Sequence, residues 1–264
     1  MILKDVGLMA VESSRTRAYL WAMRRHDLLP AHVIFLSRRR EGGQDSFPVV
    51  PYFDNVAPAL ETIRELRLAY EVVESDNVNG ADVLAAVRRC PVNVLIYSGP
   101  SSGILGREVL NSDKRFLHIH AGVVPYFRGG TTIYYSLLMS GTCGASAIFL
   151  NEQIDGGPVI ATQEYPPPRD LTTLDYGYDP YIRADLLVRV LEEYRVRGEF
   201  VAEAQPVKAG DAFYIMHPVL RHITILSKRI SGAGASAAAG VDSASLWRPE
   251  DSHVMWRVPR TLRE

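Results

Sequence analysis

The strongest structural signals of the chain lie in residues 116–160, which read FLHIHAGVVPYFRGGTTIYYSLLMSGTCGASAIFLNEQIDGGPVI. The stretch starts as an apolar strand that carries His118 and His120 at its end. It continues through a loop and a helix into a second apolar strand, and a turn then contributes Asp155. Side chains alternate along a strand, so two histidines two positions apart point to the same face. Two imidazoles and a carboxylate from separate segments are typical of a general acid–base site.

The residues before this stretch predict alternating strands and helices. Residues 6–10 predict a first strand, Ser13 and Ser14 can cap a helix over 15–25, and residues 32–36 predict a second strand. This order is a βαβ unit, which favours a parallel sheet. The further predicted elements are helices over 57–67, 80–89, 104–110 and 179–194, and strands over 70–73 and 92–97. The fold class is therefore α/β, with a mostly parallel sheet flanked by helices.

The composition excludes several classes of protein. The 264 residues are 47% hydrophobic and 22% charged, which predicts a packed globular core. The formal net charge of −1 gives no basic excess for nucleic acid, and no run is long and apolar enough for a membrane span. The first residues are too polar for a signal peptide, so a cytoplasmic protein is expected. Cys90 and Cys143 are expected to be buried thiols.

Two loops leave alternatives open. Arg38, Arg39 and Arg40 could grip a phosphate, although a solvated charge run is the more ordinary interpretation. The small-residue loop SGPSSG at residues 98–103 follows a buried strand. It could form one wall of a ligand site, because ligands of α/β sheets bind at the carboxyl ends of strands, or it could be a plain turn.

The C-terminal part of the chain is predicted to be less regular. Residues 201–226 predict a hairpin around Gly210, followed by a short element, and the low-complexity residues 231–245 predict a flexible linker. We therefore expect an α/β domain over residues 1–200, an appendage over 201–230 packed on it, and a linker and tail over 231–264.

The order and spacing of the central residues follow a known pattern. His118-Ile119-His120 ends a strand, the loop 121–129 contains Pro125 and Arg128, and Asp155-Gly156-Gly157 follows one helix and one strand later. This arrangement resembles the folate-dependent formyltransferase family, in which an Asn-x-His strand end precedes a Pro-x-Tyr-Arg-Gly loop and an Asp-x-Gly turn. The close match covers roughly a sixth of the chain.

The resemblance implies a Rossmann-like formyltransferase fold with a small C-terminal appendage. It also implies an N-formyltransferase that takes its formyl group from 10-formyltetrahydrofolate. In that reaction His120 would be the base, assisted by Asp155, and His118 would stand where the family has the asparagine that holds the formyl oxygen. The residues implied to contact the donor are Ser98, Gly99, Gly103, Ile104 and Ile154.

The acceptor is expected to be the amine of a small molecule, such as an amino sugar, an amino acid or a specialised metabolite. Arg128 could contact an anionic acceptor or support its own loop. Tyr214 and His217 could line an acceptor pocket or form a turn with a hydrogen-bonded histidine. We expect no nucleic-acid partner and no membrane partner, and a homodimer is left open.

Three alternatives compete with formyl transfer to an amine. The enzyme could hydrolyse the formyl donor or use another one-carbon or acyl donor, or the chain could bind folate or a metabolite without chemistry. His118, His120 and Asp155 also form a possible metal set, since imidazoles and a carboxylate are common ligands. The family uses the same positions without a metal, so the resemblance implies that no metal is bound.

Overall fold

Nine strands are present in the computed structural model, which describes residues 1–37, 47–100, 103–206 and 210–233. Within these ranges the strands are β1 (Ile2–Val11), β2 (Leu29–Ser37), β3 (Tyr70–Glu74), β4 (Val94–Ser98), β5 (Arg115–His120), β6 (Phe127–Gly129), β7 (Cys143–Phe149), β8 (Val159–Tyr165) and β9 (Asp211–Phe213). Seven of them form one sheet in the order β3-β2-β1-β4-β5-β7-β8. The other two, β6 and β9, form a small second sheet.

The large sheet is parallel through its first five strands and antiparallel at one side. β1 pairs in parallel with β2 and β4, β2 with β3, and β4 with β5. The pairs β5–β7 and β7–β8 are antiparallel. All five residues of β4 are buried, as expected for a strand that is covered on both faces. The predicted α/β fold with a mostly parallel sheet is confirmed.

Helices cover both faces of the large sheet. Among the described residues they are α1 (Ser14–Arg25), α2 (Ala59–Glu65), α3 (Ala81–Arg89), α4 (Arg107–Leu110), α5 (Thr132–Ser140), α6 (Asp179–Arg197) and α7 (Pro218–Ala233). Tyr19 of α1 and Leu187 of α6 share one buried cluster with Leu8 of β1, whereas Val83 of α3 packs with Met9 in another. Of the two serines predicted to cap α1, Ser13 is the cap, and its hydroxyl accepts a hydrogen bond from the Thr16 amide at 3.1 Å. Ser14 is the first residue of the helix.

The described parts of residues 201–226, which are 201–206 and 210–226, do not form the predicted hairpin. β9 is indeed extended, but it pairs in parallel with β6, and α7 begins only five residues after β9 ends, at Pro218. Pro is favoured in the first turn of a helix, so this residue explains the start of α7. The alternating pattern indicated an extended segment correctly, but it carried no information about the partner strand.

Other expectations have a direct structural counterpart. Cys90 and Cys143 are free and buried, as predicted. Within the described ranges, every helix is too short or too polar to cross a bilayer. The arginine run 38–40 lies outside the described residues, and so do residues 234–264 of the expected linker and tail. The expected division of the chain at residues 200 and 230 stays a prediction.

The fold brings the carboxyl ends of three adjacent parallel strands together. β1 ends at Val11, β4 at Ser98 and β5 at His120, and these strands are neighbours in the order β1-β4-β5. Ligands of open α/β sheets bind at this edge, because the loops that leave the strands surround a crevice there. Of the candidate residues, His118 and His120 lie at the end of β5, and Ser98, Gly99, Gly103 and Ile104 lie at or after the end of β4.

Candidate active site

His118 and His120 lie on the same face at the end of β5. Their ring centroids are 6.4 Å apart, as their spacing along a strand predicts. His120 is buried, with 4% of its surface exposed, and His118 is half-buried. The His120 ring is therefore shielded from solvent, whereas the His118 ring is partly exposed.

Asp155 approaches His120 from the turn between β7 and β8. Its Oδ2 lies 3.3 Å from Nδ1 of His120 and accepts a hydrogen bond from the Gly129 amide at 2.9 Å. Asp155 has a left-handed backbone conformation with φ of 49°, which most residues with a side chain avoid and which aspartate adopts more readily than they do. The structure therefore brings the carboxylate and the imidazole together, as the sequence predicts. Their catalytic roles stay predictions.

A residue that the sequence did not indicate holds this turn in place. The side-chain amide of Gln205 donates to the carbonyl oxygens of Asp155 at 2.7 Å and Gly157 at 2.8 Å. Gln205 lies 50 positions after Asp155 in the chain. No local pattern marks such a contact, because it depends on how the segment after α6 folds back over the sheet.

The second nitrogen of His120 is also engaged. Nε2 donates a hydrogen bond to the carbonyl oxygen of Phe127 at 2.6 Å and lies 3.3 Å from the Thr132 hydroxyl. The two ring nitrogens therefore face two oxygens, Phe127 O and Asp155 Oδ2. Burial lowers the pKa of His120, and the carboxylate of Asp155 opposes that shift. A positive charge between Nδ1 and Oδ2 is stabilised by the carboxylate and resisted by burial.

His118 is held in its neutral form. Burial, followed by the positive charges of Arg15 and Arg183, keeps the pKa of His118 well below its ordinary value. Its Nδ1 lies 3.4 Å from the carbonyl oxygen of Tyr97 on β4, which makes a long hydrogen bond. A neutral imidazole has one donor nitrogen and one acceptor nitrogen, so His118 can accept a proton or a cation on the nitrogen that is not bonded to Tyr97.

Two arginines that no sequence motif marks as site residues border the histidines. Arg183 of α6 donates to Asp179 Oδ1 at 2.9 Å and to the carbonyl oxygen of Ile119 at 3.1 Å. Arg15 of α1 donates to the Ser98 hydroxyl at 3.2 Å and to the Gly99 carbonyl oxygen. Arg183 carried a weak local signal, since Asp179 lies four residues before it on the same helix. These arginines give the site a positive side and fix the strand ends around it.

The residues expected to contact the donor lie on two loops beside the site. Ser98 is fully buried and its hydroxyl lies 2.8 Å from that of Thr16, so it joins β4 to α1. A side chain at Gly99 would lie 2.1 Å from the Tyr97 hydroxyl, which explains the glycine there. Ile104 and Ile154 are 68% and 53% exposed, which is high for apolar side chains. The donor contacts of these residues and of Gly103 stay predictions.

The residues expected to contact the acceptor lie in β6, which contains Arg128, and between β9 and α7, where Tyr214 and His217 lie. Arg128 donates to the carbonyl oxygen of Gly210 at 2.7 Å, which fits the support of the loop that its sequence position also suggested. Tyr214 is 89% exposed. His217 is exposed, and its Nδ1 accepts a hydrogen bond from the Val219 amide at 3.2 Å, in the first turn of α7. Their contacts with an acceptor stay predictions.

Sequence comparison relates the chain to one group of enzymes. A methionyl-tRNA formyltransferase of Finegoldia magna is 25% identical over 142 residues, which cover 53% of this chain and 46% of the relative. A methionyl-tRNA formyltransferase of Listeria innocua is 28% identical over 114 residues, which cover 42% and 36% of the two chains. The chain thus spans about half the length of the curated relatives it matches. No family model matches it.

Solved structures with the same fold come from the same group. A sugar N-formyltransferase from a Shewanella species superposes with a TM-score of 0.53 and 18% identity over 84% of this chain and 86% of its own. A phosphoribosylglycinamide formyltransferase from Bacillus halodurans superposes with a TM-score of 0.54 and 16% identity over 74% and 96%. At these identities the likeness establishes the fold. With formyltransferases as its sequence relatives and as its structural neighbours, the chain is a relative of the formyltransferase family and has the Rossmann-like fold of that family.

Proposed function

We propose that the protein transfers a formyl group from 10-formyltetrahydrofolate to the amine of a small molecule. The observation that carries this proposal is the contact of 3.3 Å between His120 Nδ1 and Asp155 Oδ2, beside His118 at the end of β5. The family to which the chain is related supports the donor and the reaction type. The geometry supplies an acid–base pair next to a second, neutral imidazole.

The chemistry requires a proton to move from the acceptor to the leaving group. The amine nitrogen attacks the formyl carbon and forms a tetrahedral intermediate with a negative oxygen. The amine then loses a proton, the bond from the carbon to N10 of the folate breaks, and that nitrogen takes up a proton. His120 and Asp155 can hold the transferred proton between Nδ1 and Oδ2, because the hydrogen bond to Phe127 keeps the ring in place.

The positive side of the site suits the intermediate. Arg15 and Arg183 lower the pKa of His118 through their charges, so the same charges stabilise a negative oxygen that develops near His118. His118 borders the crevice and would lie beside this oxygen, where the family has an asparagine. Its role is to position the formyl group, either by donating a hydrogen bond or by shaping the wall of the crevice.

A small acceptor fits the chain better than a transfer RNA. The net charge of −1 gives no excess of positive charge for a polyanion. The structural neighbours named for small acceptors, a sugar and phosphoribosylglycinamide, superpose over most of their own length. The exposed segment around Tyr214 and His217 would then face the acceptor. Arg128 would support this segment through its hydrogen bond to the carbonyl oxygen of Gly210.

The proposal is tested by incubating the protein with 10-formyltetrahydrofolate and a panel of amino sugars, amino acids and nucleotide-linked amines. Amine-dependent release of tetrahydrofolate is the expected result. Release of tetrahydrofolate without any amine would indicate hydrolysis of the donor instead. If tetrahydrofolate is not released and the donor does not bind, the proposal is refuted.

A pair of variants in one turn separates the catalytic carboxylate from its neighbours. Asp155→Asn keeps the shape but removes the charge, so we expect the rate of transfer to fall by about 10²–10⁴-fold. Glu152→Gln is the matched control, because Glu152 is an exposed acid of the same turn that pairs with Arg107. It should retain the wild-type rate, and equal losses in both variants would contradict the assignment of Asp155.

A further inference from the structure

The hydrogen bonds of His120 leave an electrostatic conflict in the metal-free, neutral site. The proton on Nε2 is committed to the carbonyl oxygen of Phe127 at 2.6 Å, so Nδ1 of the neutral ring presents a lone pair. That lone pair faces the carboxylate oxygen of Asp155 at 3.3 Å. Two electron pairs at this distance repel each other unless a cation lies between them. A proton can serve, and so can a metal ion.

His118 adds a second nitrogen of the same kind. When its Nδ1 donates to the carbonyl oxygen of Tyr97, Nε2 is the nitrogen that presents a lone pair. Each histidine thus has one nitrogen on a main-chain carbonyl and one that is available. Metal-binding histidines almost always give their other N–H to such an acceptor, which fixes the tautomer and the orientation of the ring.

The distances fit one ion held by three residues. One nitrogen of each histidine and one oxygen of Asp155 all lie within 4.8 Å of one another. Ligand atoms at about 2.0–2.2 Å from a tetrahedral Zn²⁺ are about 3.4 Å apart, and the His120–Asp155 distance of 3.3 Å has this value. The ring of His118 would need to approach its partners by at most about 1.4 Å.

We propose that His118, His120 and Asp155 form a binding site for a divalent first-row metal ion such as Zn²⁺. Three protein ligands leave the remaining coordination positions open, as in sites where a water or a small molecule completes the coordination. The site exists because a histidine occupies position 118, where an amide would offer a much weaker ligand. This departs from the metal-free centre that the family resemblance implies. The metal ion and the proton of the proposed formyl transfer would occupy the same gap between His120 Nδ1 and Asp155 Oδ2, so the metal-bound protein is not the form that carries out that proton transfer.

The neighbouring positive charges shape what the site binds. Arg183 forms an ion pair with Asp179 at 2.9 Å, and Arg15 donates hydrogen bonds to Ser98 and Gly99. Two nearby guanidinium groups lower the affinity for a free cation and favour an anionic ligand, such as hydroxide or a carboxylate, at an open position of the metal. The preferred occupant is therefore a metal ion together with an anion.

The test measures metal binding directly, with tag-free protein that has been stripped with EDTA. Co²⁺ serves as a visible probe, and Zn²⁺ is then added in competition. We expect one equivalent of Co²⁺ to bind, with the absorption of a nitrogen- and oxygen-coordinated ion, and Zn²⁺ to displace it. Removing a residue that only hydrogen-bonds to a metal ligand already lowers metal affinity by about 10–100-fold. His118→Asn removes a ligand itself, so we expect it to lower the affinity for Co²⁺ by at least about 100-fold.

Two controls keep the result interpretable. His26→Asn removes a histidine that contacts Glu192 outside the site, and it should bind Co²⁺ like the wild type. His118→Gln is a second substitution of the ligand, and far-ultraviolet circular dichroism reports whether each variant is folded. Absence of stoichiometric binding, or equal binding by wild type and folded His118→Asn, would overturn the proposal. Neither readout uses donor or acceptor, so failure of the metal site and failure of formyl transfer are distinguishable.

Discussion

Replacing Gln205 by alanine should loosen the turn that carries Asp155. The side-chain amide of Gln205 makes two hydrogen bonds, of 2.7 and 2.8 Å, to the carbonyl oxygens of Asp155 and Gly157. A hydrogen bond contributes about 0.5–1.5 kcal/mol net to stability, and an acceptor left without a partner adds to the loss. We therefore expect the free energy of unfolding to fall by about 2 kcal/mol in total. In a domain of this size that loss lowers the melting temperature by about 4–8 °C.

Gln205→Ala should also slow the proposed formyl transfer, because the Asp155 carboxylate would be displaced. Asp155 has a left-handed backbone, so the turn relaxes when its anchor is removed. A displacement of about 1 Å at a reacting group can cost about 10²-fold in rate, and we expect a fall of 10–100-fold in kcat with a smaller change in KM. Steady-state kinetics and thermal unfolding of the same preparation measure both effects.

Gln205→Met tests whether hydrogen bonding, rather than packing, is responsible. Methionine has a similar length but no amide, so it should show most of the loss seen with alanine. Gln153→Ala is the matched control, because Gln153 is an exposed glutamine of the Asp155 turn. The reasoning is refuted if Gln205→Met keeps the stability and the kcat of the wild type.

Two further predictions concern backbone space and pH. Gly129→Ala should lower the free energy of unfolding by at least about 2 kcal/mol, because its φ is +100° and an added Cβ would lie 2.1 Å from Phe213 O. Gly198→Ala is the control, since Gly198 has a φ of +78° but open space around it, and it should lower the free energy of unfolding by only about 1 kcal/mol. Equal costs would show that the contact with β9 is unimportant. Because burial holds the pKa of His118 well below its unfolded value, the unfolded chain binds more protons below pH 6.5. Stability should therefore be full above that pH and fall by at most about 1.4 kcal/mol per pH unit as the pH drops toward the folded pKa. Urea unfolding should show this slope reduced in His118→Asn, and an unchanged slope would contradict a neutral His118 in the folded protein.

The sequence predicted the elements whose signals are local. The apolar run of β4 and the stripe of α6 follow from periodicity, and the parallel sheet follows from their alternation. His118 and His120 could be placed on one face because strand geometry has a period of two. Asp155 could be joined to them only through the family resemblance, since spacing along the chain does not determine a contact across a turn.

The residues that the sequence did not predict depend on long-range contacts. Gln205 reaches the Asp155 turn across 50 positions, and Arg183 reaches the Ile119 carbonyl across 64. The error over residues 201–226 has the same origin. A strand of three residues, Asp211–Phe213, shows that the backbone is extended, but its partner β6 lies far earlier in the chain. Pairing partners are decided by tertiary packing rather than by the local pattern.

The contacts from residues beyond α6 have a consequence for synthesis of the chain. The seven strands of the large sheet and helix α6 are complete once residue 197 has left the ribosome. The hydrogen bond from the Gly130 amide to Phe213 O, at 2.8 Å, and the anchor provided by Gln205 need residues that emerge later. Domains fold as their segments become available, so the sheet can form first while the Asp155 turn and the segment after β6 still lack their restraints. A nascent chain would therefore form its large sheet before the Asp155 turn reaches its final geometry.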